Sequence, residues 1–162
     1  MFKTFVVGEI LTETDINKYL EMAQSAVKLA DQTVNNSSVF VNDNTLVLPV
    51  VASASYFWSL DLHFTSGITP DFKFTFTVPS GASGVARGQA VDATPLVTII
   101  AADVATTVVI PGAAAGVVVR AFGWLTTSTT AGNLQLQWAQ NTANASNTIV
   151  LQGSALTLIR TA

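Results

Sequence analysis

Several short segments of this chain alternate strictly between apolar and other side chains, and this feature constrains the fold most. Large apolar side chains occupy every second position of residues 56–64: Tyr56, Trp58, Leu60, Leu62 and Phe64. The same period occurs in residues 72–78 and 134–138. Because successive side chains of a β-strand point to opposite faces, the alternation predicts half-buried strands.

Turn-forming residues separate these segments from further strand candidates. Gly, Pro, Asn and Asp cluster at residues 42–44, 79–81 and 111–112, as is typical of turns. The further candidates are residues 39–41, 46–51, 96–100, 104–110, 117–125, 148–152 and 156–160. About ten short antiparallel strands predict a mainly β fold, a jelly-roll-like antiparallel β-sandwich.

The first 31 residues differ from the rest of the chain in composition. Eight charged residues lie in this segment, whereas nine are spread over the other 131 residues. We therefore predict a boundary at this point. Residues 1–31 form an N-terminal arm and helix that act as a docking element, and residues 32–162 form the β-sandwich domain.

An amphipathic α-helix is predicted within the docking element, from Thr12 to about Ala30. Thr12 is a suitable N-cap residue, and Asp15 in the first turn would interact favourably with the positive end of the helix dipole. The apolar residues that follow keep the three-four spacing of one buried stripe. Such a helix must pack against something else, so we predict docking through the apolar residues of the arm and helix. These are Phe5, Val7, Leu11, Ile16, Tyr19 and Leu20.

Charge and cysteine content exclude several classes of function. The formal net charge is −3 and Lys and Arg form no cluster, which removes the basic surface that nucleic-acid binding requires. The chain has no cysteine, so disulfides, thiolate metal sites and cysteine nucleophiles are excluded. Acidic residues stand where a signal peptide needs its apolar core, and polar residues interrupt every apolar run. We expect neither a signal peptide nor membrane insertion.

We predict no catalytic, cofactor-binding or metal-binding residues, and therefore no enzyme. His63 is the only histidine, and no nucleophile accompanies its pair with Asp61. The aspartates of the strand region lie mostly in or next to turns, where Asp commonly bonds the backbone. A calcium site built from loop aspartates stays open as an alternative, although no EF-hand pattern occurs. The glycines around Arg87 match no phosphate-binding pattern, so we predict a long loop there.

The three tryptophans divide into two groups by their position in the alternation. Trp58 and Trp138 fall on apolar faces, which predicts a place in the core. Trp124 follows Gly123 and is not assigned to the core in this way, so it is the candidate for surface recognition, for example by stacking on a sugar. The unbroken run Val117–Val119 predicts a strand buried on both faces, as at a subunit interface.

Two parts of the sequence carry a resemblance to a known family. In residues 7–20, a glycine, a Leu-Thr pair, an Asp, an Asn and a Tyr-Leu pair recur at the spacing of a family motif; the matching positions are Gly8, Leu11, Thr12, Asp15, Asn17, Tyr19 and Leu20. This segment resembles the N-terminal motif of minor tail proteins from bacteriophages of actinobacteria. Residues 46–50, 69–74, 77–82 and 132–141 are similar to a β-sandwich module of the same phage proteins. The chain departs from the family at residues 21–24, where Glu-Met-Ala-Gln replaces Met-Asn-Gln.

The resemblance implies a structural protein of the virion, assembled in the cytoplasm of the host bacterium. We expect a minor tail protein that docks through its N-terminal segment onto other virion proteins and forms a homotrimer through the sandwich. Two alternatives stay open. One is a capsid decoration or head-fibre protein, and the other is a carbohydrate-binding receptor module that contacts a host cell-surface glycan.

Overall fold

The structure is a computed structural model that describes residues 6–10, 12, 23–91, 96–101, 103–113 and 116–161. These residues form twelve β-strands and no helix. The strands are β1 (Ala23–Val27), β2 (Gln32–Val34), β3 (Val41–Val50), β4 (Ser55–Ser66), β5 (Phe72–Thr77), β6 (Ser83–Val91), β7 (Val97–Ala101), β8 (Val108–Ile110), β9 (Val117–Thr126), β10 (Gly132–Gln140), β11 (Thr148–Val150) and β12 (Ala155–Arg160).

The strands form two sheets in which all pairs are antiparallel. The large sheet has the order β1-β12-β4-β9-β6-β7, and β11 joins it by pairing with both β2 and β4. The small sheet has the order β3-β10-β5-β8. The mainly β, antiparallel fold predicted from the alternation is therefore confirmed.

The core lies between the two sheets. Every second side chain of β4 is buried, in the phase that the sequence predicted. Trp58 of the large sheet meets Phe76 of the small sheet with ring centroids 5.0 Å apart, and Phe64 stacks on Phe72 at 4.1 Å. Each large side chain buried in this way contributes about 1.5–3 kcal/mol relative to its exposed state.

A glycine allows the closest packing in the centre of the large sheet. Gly123 of β9 lies opposite Trp58 of β4. A Cβ atom at Gly123 would lie 2.9 Å from Cζ2 of Trp58 and would also collide with the carbonyl oxygen of Val85. The absence of a side chain at this position therefore lets the indole ring lie directly against β9.

The predicted helix is wrong over residues 23–30, where the chain forms strand β1 instead. Ala23–Val27 pairs antiparallel with β12, with Ala26 opposite Leu156. Alanine is a strong helix former and is depleted in strands, so the backbone pairing with β12 overrides local propensity here. The rest of the predicted helix, residues 13–22, lies outside the described residues. Strand β1 precedes the boundary predicted at residue 31, which stays a prediction.

A buried ion pair fixes the chain just after β1. Lys28 is 1% exposed, and its Nζ donates to both carboxylate oxygens of Asp43, at 3.0 and 2.9 Å. Asn44 Oδ1 and Gln32 Oε1 also accept from Nζ. A buried charge needs such complete pairing, because an unpaired one is strongly destabilising. The ion pair therefore ties the end of β1 to β3 of the other sheet.

The loop predicted around Arg87 is also wrong, because Ser83–Val91 is strand β6. It pairs with β9 on one side and with β7 on the other. Its inward positions are Gly84, Ala86, Gly88 and Ala90, and these small side chains give no apolar alternation for a sequence pattern to detect. The described part of the chain includes no helix that could cross a membrane.

Candidate functional site

The outer face of the large sheet, which points away from the small sheet, carries an unusual set of apolar side chains. Strand register places Ile159, Phe57, Trp124 and Val85 side by side across β12, β4, β9 and β6. We call these four residues the apolar row. Trp124 is 55% exposed, although an indole ring is among the largest apolar groups that a protein can bury.

Phe122 adds a third ring beside this row. The centroid of Phe57 lies 5.3 Å from that of Trp124 in an edge-on arrangement and 6.3 Å from that of Phe122. Phe122 is 50% exposed. We call Phe57, Phe122 and Trp124 the aromatic cluster. Contiguous exposed apolar surface of this kind marks interaction sites in folded proteins.

A row of polar side chains follows the aromatic cluster along the strands. Asp61, Arg120 and Gln89 lie side by side on β4, β9 and β6. Asp61 Oδ2 is 3.9 Å from Nε of Arg120, and Asp61 Oδ1 is 3.2 Å from Nε2 of His63. All three charged or titratable side chains are substantially exposed, so solvent screens their mutual attraction.

Two shallow grooves lie where the aromatic and polar residues meet. The first has a volume of about 340 Å³ and is lined by Phe57, Ser59, Leu60, Asp61, Arg120, Ala121 and Phe122. The second has a volume of about 530 Å³ and is lined by Gly88, Gln89, Val91, Arg120 and Phe122. Both volumes fall in the usual range of about 300–1,000 Å³ for ligand pockets. Arg120 and Phe122 line both grooves and form a ridge between them.

Trp58 and Trp138 occupy the core positions that the alternation predicted. Trp58 and Trp138 are fully buried, whereas Trp124 lies on the exposed outer face. The recognition role of Trp124 stays a prediction. Val118 is only half-buried on the outer face, between the buried Val117 and Val119, so the described strand is not covered on both sides.

The predicted docking residues fall mostly outside the described part of the chain. Val7 is described and fully exposed. The remaining residues, Phe5, Leu11, Ile16, Tyr19 and Leu20, lie outside the described residues. Docking through this segment stays a prediction.

The described loop aspartates bond to the backbone. Asp71 Oδ1 accepts from the backbone N–H of Gly112 at 3.1 Å, and Asp103 Oδ1 accepts from that of Ala105 at 2.9 Å. Asp43 Oδ1 accepts from the N–H groups of Thr45 and Leu46, in addition to its ion pair. No group of three or more His, Asp or Glu side chains suited to a metal ion occurs among the residues described.

Sequence reasoning missed most of this surface. Phe57 occupies a polar-phase position of β4, and Phe122 occupies the corresponding phase of β9 next to Arg120. A signal was available, because aromatic residues recur at outward positions of two candidate strands. The pairing of those strands was the missing information, since residues 67–116 lie between β4 and β9.

No family model matches the sequence, and a search of curated proteins finds no match. A search of solved structures finds the tripod (BppUct-A-L) from the baseplate of bacteriophage Tuc2009, with 9% identity over 98% of this chain and 73% of that chain and a TM-score of 0.35. It also finds structures of infectious bursal disease virus, Gx and Gt strains. Both are 11% identical, cover 85% and 86% of this chain and 38% of theirs, and have TM-scores of 0.18 and 0.17. Similarity this low assigns neither a family nor a function.

Proposed function

We propose that this protein is a non-enzymatic structural component of a bacteriophage virion, a minor tail protein that assembles with copies of itself and with other virion proteins. The observation that carries the proposal is the number of large apolar side chains on the surface of a chain with only 10% charged residues. In the strands of the sandwich they are Val27, Val91, Ile100, Val109, Phe122, Trp124 and Ile159. Apolar surface of this extent suits a protein that neighbours cover.

The strand order supports the jelly-roll-like form of the sandwich. From β3 to β5 and again from β8 to β11, successive strands alternate between the small and the large sheet. This crossing pattern is typical of jelly rolls, which virion proteins use widely. Strands β6 and β7 follow each other in the chain and both lie in the large sheet, which they extend beyond β9.

The free edge of the large sheet supports self-association. Strand β7 is the last strand in the described order. Ile100 within it is 73% exposed, and Leu96 just before it is 60% exposed. An exposed apolar edge strand is a template for pairing with another chain. We propose that copies associate through this edge, as a homotrimer.

The oligomer is tested by light scattering on the purified full chain. We expect the mass of three copies for the native chain and the mass of one copy for Ile100→Asp, because a charge at the edge opposes apolar packing. Val109→Asp is the matched control, because Val109 is an exposed residue of β8 at the edge of the small sheet. This variant should leave the trimer intact. A native chain that stays monomeric at high concentration would contradict self-association.

The N-terminal motif supports docking onto the particle. It ends just before β1, the strand at the opposite edge of the large sheet from β7, so deletion of residues 1–22 leaves every described strand in place. We expect virions produced with this truncated chain to lack it, whereas the full chain is incorporated. Equal incorporation of both chains would show that docking does not use this segment.

The location of the protein in the virion is tested on intact particles with gold-labelled antibody and electron microscopy. Label at the tail supports the minor tail assignment. Label over the head would replace it with a capsid decoration or head-fibre protein. Virions that hold none of the protein, by labelling and by mass spectrometry, would overturn the virion proposal.

A further inference from the structure

We propose that the two grooves on the outer face of the large sheet form a binding site for an oligosaccharide, which crosses strand β9 over the ridge of Arg120 and Phe122. The inference rests on the grooves themselves and does not depend on the virion assignment. It also moves the centre of recognition from Trp124 to residues that the sequence did not single out.

The first argument is the pairing of an exposed aromatic ring with polar groups in one shallow site. A pyranose ring has an apolar C–H face and a rim of hydroxyl groups, so it needs both kinds of contact at once. Phe122 offers half of its surface to solvent, and Phe57 supports it at a centroid distance of 6.3 Å. The ring gives the sugar an apolar face to stack on, while neighbouring polar groups fix its orientation.

The second argument is the unused bonding capacity of the polar row. The 3.9 Å between Asp61 Oδ2 and Arg120 Nε is too long for a hydrogen bond. Asp61 Oδ1 is buried 3.2 Å from His63 Nε2, so Oδ2 is the carboxylate oxygen that remains for a ligand. A carboxylate accepts and a guanidinium donates, whereas a sugar hydroxyl does both. Adjacent hydroxyls of one ring can therefore bond Asp61 and Arg120 together.

The third argument is the arrangement of the grooves on both sides of one ridge. Asp61 and Ser59 line the groove over β4, and Gln89 lines the groove over β6. Neighbouring strands are about 4.8 Å apart, so the two grooves are close enough for linked sugar rings. The site is therefore longer than one ring, and affinity should rise from a monosaccharide to an oligosaccharide.

The polar row also favours a saccharide over a second copy of the chain at this place. The centres of protein interfaces are depleted in charged residues. Here Asp61 and Arg120 both line the first groove, and a flat protein surface would remove both from water. A narrow ligand leaves part of each side chain solvated. The exposed apolar residues of the β7 edge lie apart from the first groove and remain free for self-association.

The test is binding of the full chain to an array of immobilised glycans, followed by titration with glucose, galactose and N-acetylglucosamine oligomers of one to six units. Fluorescence of Trp124, next to Phe122, reports the titration. We expect binding to at least one series, with affinity increasing at least tenfold from one unit to two or more. Phe122→Ala and Asp61→Asn should each weaken it at least tenfold. Ile159→Ala, on the same face outside the grooves, is the matched control and should not change it.

Circular dichroism and thermal melting establish that each variant is folded before its affinity is measured. Absence of binding to every glycan by the folded native chain would overturn the proposal, as would binding that Phe122→Ala and Asp61→Asn leave unchanged. Self-association that Phe122→Ala abolishes would also overturn it and would assign this face to a second copy. None of these results bears on where the protein lies in a virion, so the oligosaccharide site can fail while the virion assignment stands.

Discussion

The two faces of the large sheet carry similar aromatic residues in opposite environments. On β4, Trp58 points inward and is fully buried against Phe76, while the adjacent Phe57 points outward beside Trp124. The inner rings stabilise the fold because the small sheet removes them from water. The outer rings are left partly exposed by the described chain. Residue type alone therefore does not distinguish a core position from a surface position. The distinction depends on whether the second sheet covers that face of the strand.

The charged residues repeat this contrast. Lys28 and Asp43 are completely buried, and every polar side-chain atom of the pair is bonded. Asp61 and Arg120 are exposed, and 3.9 Å separates Asp61 Oδ2 from Arg120 Nε. The buried pair is part of the folded structure. The exposed pair keeps bonding capacity for a ligand.

Truncation of an inner ring should have the largest effect on stability. Trp58→Ala removes a fully buried indole and leaves a cavity between the sheets, so we expect a loss of about 5 kcal/mol in the free energy of unfolding. Trp124→Ala is the matched control on the outer face and should cost less than about 1 kcal/mol. Urea unfolding of both variants measures the difference. Equal losses would mean that the two faces are not distinguished by burial.

Breaking the buried ion pair should have the next largest effect. Lys28→Met leaves the Asp43 carboxylate buried without its counter-charge, and we expect a loss of about 3 kcal/mol. The double variant Lys28→Met with Asp43→Asn removes both charges but keeps an acceptor for the N–H groups of Thr45 and Leu46, and it should recover part of that stability. Equilibrium unfolding of the single and double variants forms the test. A double variant that is less stable than the single one would show that Asp43 matters mainly through its bonds to the backbone of β3.

The two buried tryptophans should differ when their N–H groups are removed. Trp138 Nε1 donates to Asp43 Oδ2 at 3.2 Å, whereas Trp58 Nε1 is buried without a partner. A hydrogen bond to a charged group contributes about 1.5–3 kcal/mol. Trp138→Phe should therefore be the more destabilising of the two Trp→Phe variants, by about 1–2 kcal/mol. Identical unfolding midpoints would contradict the bonding pattern at Asp43.

Much of the fold follows from the side-chain period, and its failures have physical causes. The alternation from Tyr56 to Phe64 identifies β4 and its buried face without any knowledge of its neighbours. In β1, Ala23, Ala26 and Val27 keep the three-four spacing of a helix, and only the pairing with β12 makes the segment a strand. Lys28 and Asp43 give no local signal at all, because only the contact between sheets brings a lysine to an aspartate 15 residues away.

The candidate site was predictable only in part for the same reason. The sequence singles out Trp124 among the tryptophans because Trp58 and Trp138 fall on apolar faces and are assigned to the core. Phe122 and Asp61 become site candidates only through the register of β9 against β4, which places Arg120 opposite Asp61. A pattern within one strand cannot show which side chains lie side by side across two.

Neutralising the exposed carboxylate should have the smallest effect on stability. Asp61→Asn keeps the shape of the side chain and removes an attraction to Arg120 and His63 that solvent already screens, so we expect a change within about 0.5 kcal/mol. Because a surface pair is screened by dissolved ions, raising the salt concentration should shrink even this difference. Unfolding of the native chain and the variant at low and high salt measures both effects. A loss of several kcal/mol that persists at high salt would place Asp61 with the buried charges of Lys28 and Asp43, and the contrast between the two faces would not extend to their charged residues.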